Sequence, residues 1–317
     1  MAVSLRGSIS EIEIERICMF ESCEICGVNN WNSIVYEGAI RSGSFATRTE
    51  GGKVARCGGC GVDRLDESVS ISALAYESDN YRIAMAQGLE VEDFFSHADP
   101  VQIYNLSAFW PLDFRGKVIA DIGCGAGSFI SHVAGLTEKI IAIEPTERYH
   151  ISLRKRGYDV FSYAADALKV HPEGVDIAVT YQVIEHVLNP RAFLTEIAAL
   201  LKPEGLLIIA TPNRDDILMK LMPEEFPPFF FRAAHRWYFD RLSLRYCVEA
   251  VGGLKVESER YLHTYGMSNA LSWMKERRPP GNTRLPGINK VADQLWNGYL
   301  ESSGQSDTLF VLARKSC

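Results

Sequence analysis

Several things are missing from this 317-residue chain, and each absence excludes a class of protein. No apolar run approaches the roughly 18 residues needed to cross a bilayer. The opening stretch Met1–Glu15 alternates small, acidic and isoleucine residues as a strand would, unlike a secretory leader. A basic excess is also missing: 33 Lys and Arg against 40 Asp and Glu leave a net charge of −7. That balance is ill suited to gripping a phosphate backbone, so nucleic acid is not the expected partner. There is no low-complexity tract and no internal repeat beyond a pair of short cysteine motifs. The cysteines outside those motifs, Cys18, Cys124, Cys247 and Cys317, are scattered, which fits a reduced cytoplasmic chain rather than a disulfide scaffold. What the chain does have is 47% hydrophobic residues, enough for a proper core, and a length that suggests about two domains.

The most informative stretch is Val118-Ile-Ala-Asp-Ile-Gly-Cys-Gly-Ala-Gly-Ser128. A buried-type strand, Val118 to Ile122, runs into a turn carrying Gly123, Gly125 and Gly127, and a helical pattern of Phe129, Ile130, Val133 and Ala134 follows. Glycines at that spacing let the backbone bend sharply and approach a ligand closely. A second strand, Lys139 to Ile143, ends in Glu144, which lies 23 residues after Asp121. A carboxylate there is placed to accept both hydroxyls of a ribose, near the roughly 20-residue offset of nucleotide-binding acids. Further strands are expected at 159–163, 175–181, 205–211, 254–261 and 307–314. Helices are expected at 147–156, 190–201, 242–253, 265–275 and 288–302. The alternation implies an α/β fold, a parallel sheet with helices on both faces and ligand at the carboxyl ends of the strands.

The acid-then-glycine order, G-x-G-x-G after Asp121, resembles motif I of the class I S-adenosylmethionine (SAM) methyltransferases, and the likeness extends over most of residues 115–260. The resemblance implies a Rossmann-like seven-stranded sheet whose last strand runs antiparallel between strands five and six. It implies a SAM site formed by Asp121, Gly123, Cys124, Gly125, Gly127 and Glu144. It further places Asp166 on the adenine amino group, the alternative being an N-cap or Asx-turn. Tyr181-Gln-Val-Ile-Glu-His-Val187 resembles the E-H-V segment of ubiquinone-type and sugar-type methyltransferases. That likeness places Gln182 at the adenosine or methionine moiety and makes His186 either a proton acceptor or a structural histidine. Tyr81, beside Arg82, is expected to reach over the methionine end, or to serve as ordinary packing.

Near the other end, Cys23-Glu-Ile-Cys26-Gly27 and Cys57-Gly-Gly-Cys60-Gly61 are two C-x-x-C-G knuckles separated by thirty residues. Four thiolates, Cys23, Cys26, Cys57 and Cys60, suit a closed tetrahedral structural zinc site. Disulfides or a redox pair are the alternatives, and the latter needs a βαβ setting that the Gly-, Ser- and Thr-rich stretch between them does not offer. The expected organisation is a zinc ribbon over 1–67, a helical connector over 68–112, and a methyltransferase domain over 113–317 with a helical insertion at 262–306. Within the connector, Asp99-Pro100 reads as a turn or helix start.

His235-Arg-Trp-Tyr-Phe-Asp240 is expected to lie beside the acceptor. His235 is the first choice for a general base and His186 the second, with a capping or packing histidine as the alternative. The loop at Arg277 and Arg278 either meets an anion or is solvated. The insertion closes the pocket or forms a homodimer contact. Taken whole, the chain resembles bacterial methyltransferases bearing a zinc ribbon. The expected reaction is O-methylation of a hydroxyl on a sugar-like, nucleotide-linked small acceptor. C-methylation of a keto-sugar, methylation of protein or RNA, and a non-catalytic SAM-binding module are the alternatives.

Overall fold

The computed structural model describes residues 21–31, 33–43, 48–71, 90–109, 111–280 and 285–317. The expectations for Met1–Glu15, Cys18, Tyr81 and Arg82 lie outside the described residues.

A seven-stranded sheet organises the larger part. Its strands are β4 (Val118–Ile122), β5 (Lys139–Ile143), β6 (Asp159–Phe161), β7 (Val175–Tyr181), β8 (Leu201–Pro212), β10 (Leu254–Leu262) and β11 (Thr308–Lys315). The spatial order is β10-β11-β8-β7-β4-β5-β6. β4 to β8 pair in parallel, and β11 runs antiparallel to both β8 and β10. This is the expected topology, with the last strand inserted between the fifth and sixth. Alternate residues feed opposite faces, as a pleated strand requires. On β4, Ala120 and Ile122 join one core cluster, while Ile119 joins the other with Ile140, Ile177 and Ile208.

Helices cover both faces. α1 (Val91–Ser107), α2 (Ser128–Val133) and α3 (His150–Lys155) adjoin one core, while α4 (Ala164–Val170), α5 (Pro190–Leu200) and α8 (Arg241–Glu249) adjoin the other. α5 starts with Pro190 in its first turn and with the Asn189 side chain accepting from Ala192 N at 2.9 Å, a sequence-coded start. α8 begins with a capping box between Asp240 and Ser243. Two short helices, α6 (Ile217–Leu221) and α7 (Pro227–Phe230), follow β8, and α9 (Met267–Glu276) and α10 (Lys290–Ser303) form the insertion between β10 and β11.

α1 corrects one expectation: the helix runs straight through Asp99-Pro100 instead of turning or starting there. An internal proline costs about 3 kcal/mol by removing a hydrogen bond and crowding the preceding turn. Contacts on both sides offset that cost. Phe94 and Phe95 pack on the cluster of Phe129 and Tyr149, and Asp99 Oδ1 accepts from Ser128 Oγ at 2.5 Å.

The second sheet holds β1 (Ser33–Arg41), β2 (Arg48–Arg56), β3 (Asp63–Leu65) and β9 (Trp237–Tyr238), in the order β1-β2-β3-β9. Its fourth strand therefore comes from a distant part of the chain, starting two residues after His235. Cys23, Ile25, Trp31, Cys57 and Val62 share one hydrophobic cluster with Trp237, Phe239 and Leu244. An ion network centred on the buried Arg64 lies beside it. Arg64 Nη1 donates to Glu24 at 3.0 Å, and Arg236 donates to Glu24 and to Glu67, both at 2.7 Å. Arg214 donates to the Gly61 carbonyl at 2.6 Å, lies 2.9 Å from Asp63, and pairs with Asp240.

Candidate active site

The glycine turn leaves β4 with three consecutive alternate residues in the left-handed region: Gly123 at φ 77°, Gly125 at 55° and Gly127 at 84°. Side chains resist that conformation, and two of the positions also lack room. A Cβ on Gly123 would lie 2.4 Å from Val183, and one on Gly125 would lie 2.4 Å from the Phe94 ring of α1. Asp121 sits one residue before the end of β4, almost fully buried. Burial and the neighbouring Glu144 push its carboxyl up to about 8. Such a group welcomes a cationic ligand, which stabilises the carboxylate.

Glu144 follows β5, buried as expected at the carboxyl edge. Its Oε2 accepts from Gly125 N and its Oε1 from Thr146 N, both at 2.8 Å. In this structure it braces the glycine turn with one oxygen while keeping its remaining lone pairs for a ligand. Thr146 does not cap with its side chain, and the chain makes a 3₁₀ turn at Glu147–Tyr149 before α3. Cys124 is buried in the turn, where burial raises its thiol well above the ordinary value. Asp166 lies in the first turn of α4, partly exposed and 2.8 Å from Lys169 Nζ. Gln182 follows β7 at φ 58°, a strained conformation for a side-chain-bearing residue at a strand end. Tyr81 lies outside the described residues.

A cavity of about 330 Å³ opens beside Gln182. Phe226, Phe229, Phe230 and Trp273 give it an aromatic wall, and Arg232, Asp216, His263 and Asp307 supply charged or polar groups. The insertion contributes Trp273, Pro279 and Pro280 to its lining. Arg277 pairs with Glu225, and Arg278 stays exposed.

Three polar residues here were not singled out from sequence. Asp216 caps α6 by accepting from Leu218 N at 2.8 Å, and burial together with Asp307 pushes its carboxyl up to about 8. Asp307 accepts from Thr264 N at 2.8 Å and from Thr308 Oγ1 at 2.9 Å, and burial raises it too. His263 Nδ1 accepts from Asp307 N at 3.2 Å, so its neutral ring carries the proton on Nε2 and acts there as a donor. They lie 47 and 44 residues apart in chain order. A signal was nevertheless available: His263 and Asp307 flank the ends of β10 and β11 at the ligand-binding edge of the sheet.

His186 and His235 meet each other, with ring centroids 4.7 Å apart, but neither is among the residues lining the cavity. His186 Nδ1 donates to the Ala234 carbonyl at 2.7 Å, and burial pulls its pKa down to about 4. Burial also holds His235 well below the ordinary imidazole range.

The two knuckles have matching geometry. Gly27 N donates to Cys23 O at 2.7 Å and Gly61 N to Cys57 O at 2.9 Å, with both glycines at φ 76°. The four sulfurs lie within 4.8 Å of one another, with Cys23–Cys60 at 3.7 Å and Cys26–Cys57 at 3.5 Å. Tetrahedral zinc with bonds of about 2.3 Å separates its sulfurs by about 3.8 Å, so the donor set fits the metal.

The sheet order and the acid-glycine turn define a class I methyltransferase fold. A family model described as a methyltransferase domain matches residues 96–259, just over half of the chain, and the protein belongs to that family. A ubiquinone biosynthesis O-methyltransferase of Cereibacter sphaeroides is 35% identical over 111 residues, 33% of this chain and 45% of that protein. One from Rhodopseudomonas palustris is 33% identical over 132 residues, 39% of this chain and 52% of that protein. The chain thus spans about half the length of the curated relatives it matches. A SAM-dependent methyltransferase from Archaeoglobus fulgidus superposes with a TM-score of 0.48 at 16% identity, covering 71% of this chain and 97% of that one.

Proposed function

We propose that the protein transfers a methyl group from SAM to a hydroxyl of a small, sugar-like acceptor held in the cavity beside Gln182. The cavity carries this reading: an aromatic wall suits the apolar face of a sugar ring, and Asp216, His263 and Asp307 suit its hydroxyls. When bound, SAM supplies an electrophilic methyl carbon on a sulfonium. Asp121, the turn at Gly123, Cys124, Gly125 and Gly127, Glu144, Asp166 and Gln182 are the residues proposed to hold it.

The chain's contribution is positioning and proton transfer. His263 Nε2–H orients the acceptor by donating to an oxygen. Asp216 accepts the hydroxyl proton, a role that its upward-shifted carboxyl suits near neutrality. This places the base on the cavity wall, in place of the His235 and His186 expected from sequence. Zinc on Cys23, Cys26, Cys57 and Cys60 is structural in the same reading, because four thiolates leave no open position. Residues 1–67 then form the ribbon unit, 68–112 the connector and 113–317 the methyltransferase unit.

A second reading, a hydroxyl on an aromatic ring, is favoured by the four-ring wall and by the names of the curated relatives. The deciding experiment incubates the protein with methyl-labelled SAM and two acceptor panels, nucleotide-linked sugars and catechols, followed by mass spectrometry. A labelled sugar supports the first reading and a labelled catechol the second. S-adenosylhomocysteine formation with neither panel would overturn both acceptor assignments.

A further inference from the structure

We propose that Glu185, His186 and His235 form a second metal site, for a divalent first-row transition metal such as zinc, cobalt or iron, distinct from the four cysteines. One donor atom from each residue lies within 4.8 Å of the others. Two imidazoles and a carboxylate form the donor set that such metals take, with coordination positions to spare.

Three observations point to a cation at this place. Glu185 is 1% exposed, and its Oε1 has no hydrogen-bond partner among the described residues. A buried carboxylate oxygen left in that state is costly, and an ion is a standard explanation. His186 donates its Nδ1 proton to the Ala234 carbonyl, the tautomer that makes Nε2 the unprotonated nitrogen. That Nε2 lies 3.8 Å from Glu185 Oε1, within reach of one shared ion. Lastly, the supporting contacts match those of metal ligands: a backbone carbonyl fixes the His186 ring, and Thr211 Oγ1 donates to Glu185 Oε2 at 3.0 Å.

Metal bonds of about 2.0–2.2 Å require the donors to draw in by about 1 Å. Arg232, whose charge acts on all three residues, opposes a cation, and the Glu185 carboxylate offsets it. The site is therefore weaker than the tetracysteine one. Its effect would be to tie the end of β7 to the loop that sends Arg232 into the cavity.

Cobalt(II) separates the two sites, because thiolate ligation gives sulfur-to-metal charge-transfer absorption and imidazole–carboxylate ligation does not. Metal-free full-length protein is titrated with cobalt(II) and bound metal is counted by elemental mass spectrometry. The expected result is two ions per chain, with the charge-transfer band complete after the first. His235→Gln and Glu185→Gln should each bind one ion with an unchanged band, while circular dichroism confirms folding. One ion per chain in the wild type would overturn the proposal, as would a second ion that persists in His235→Gln. If Glu185→Gln fails to fold, the wild-type count and the His235→Gln count still decide.

Discussion

Asp216 and Asp121 are buried carboxyls that hold their protons to about pH 8, against an ordinary value of 3.8. For each, the folded state binds the proton more tightly than the unfolded chain. The stability they contribute is therefore complete below the unfolded value and is lost as pH rises through about 8. Thermal melts of the ligand-free protein should fall between about pH 4 and about pH 8 and level off above that, and Asp121→Asn should flatten that fall. As a base, Asp216 acts only when deprotonated, so kcat should climb with pH through about 8 and then level off. Asp216→Asn is a clean test, since asparagine caps a helix as well as aspartate does. It should lower kcat by about 10²–10⁴-fold, leave SAM binding nearly unchanged, and flatten the fall of the melting temperature with pH as Asp121→Asn does. An unaltered pH profile in that variant would remove Asp216 from the chemistry.

At the scale of elements, the glycine turn and α1 form one unit. Gly125→Ala puts a methyl 2.4 Å from the Phe94 ring at a backbone φ of 55°, so strain and overpacking add. The expected loss is about 1–3 kcal/mol in denaturant melts. Adding Phe94→Ala should recover only the steric part, because the positive φ remains. A double-mutant cycle with no coupling would show that the two residues do not meet. Elements with strong periodicity were legible in the sequence: β4, β5, β7 and α5 lie within a residue of the expected positions. Where tertiary contacts decide, the sequence was mute. Pro100 continues a helix because Phe94, Phe95 and Asp99 are anchored elsewhere, and Trp237–Tyr238 is a strand only because β3 lies beside it. The cavity acids escaped notice for the same reason: each is an ordinary cap or turn residue until the strand ends bring them together.

Across the whole molecule, the four-stranded sheet and the segment 232–240 are one structure. β9 belongs to the four-stranded sheet, and Arg236 beside it is held by Glu24, which lies between Cys23 and Cys26. With zinc proposed on Cys23, Cys26, Cys57 and Cys60, stripping the metal with a chelator, or replacing Glu24 with alanine, should raise hydrogen exchange in residues 232–240 while the turn at 123–127 keeps its protection. Equal exchange with and without the metal would mean that the ribbon does not support the loop. Everything proposed for the acceptor rests on one event, binding of SAM at the acid-glycine turn. The most direct test is calorimetric titration of zinc-loaded protein with SAM and with S-adenosylhomocysteine, beside Asp121→Asn. The account predicts one site per chain with micromolar affinity, weakened tenfold or more in the variant. Folded protein that binds neither ligand would contradict it.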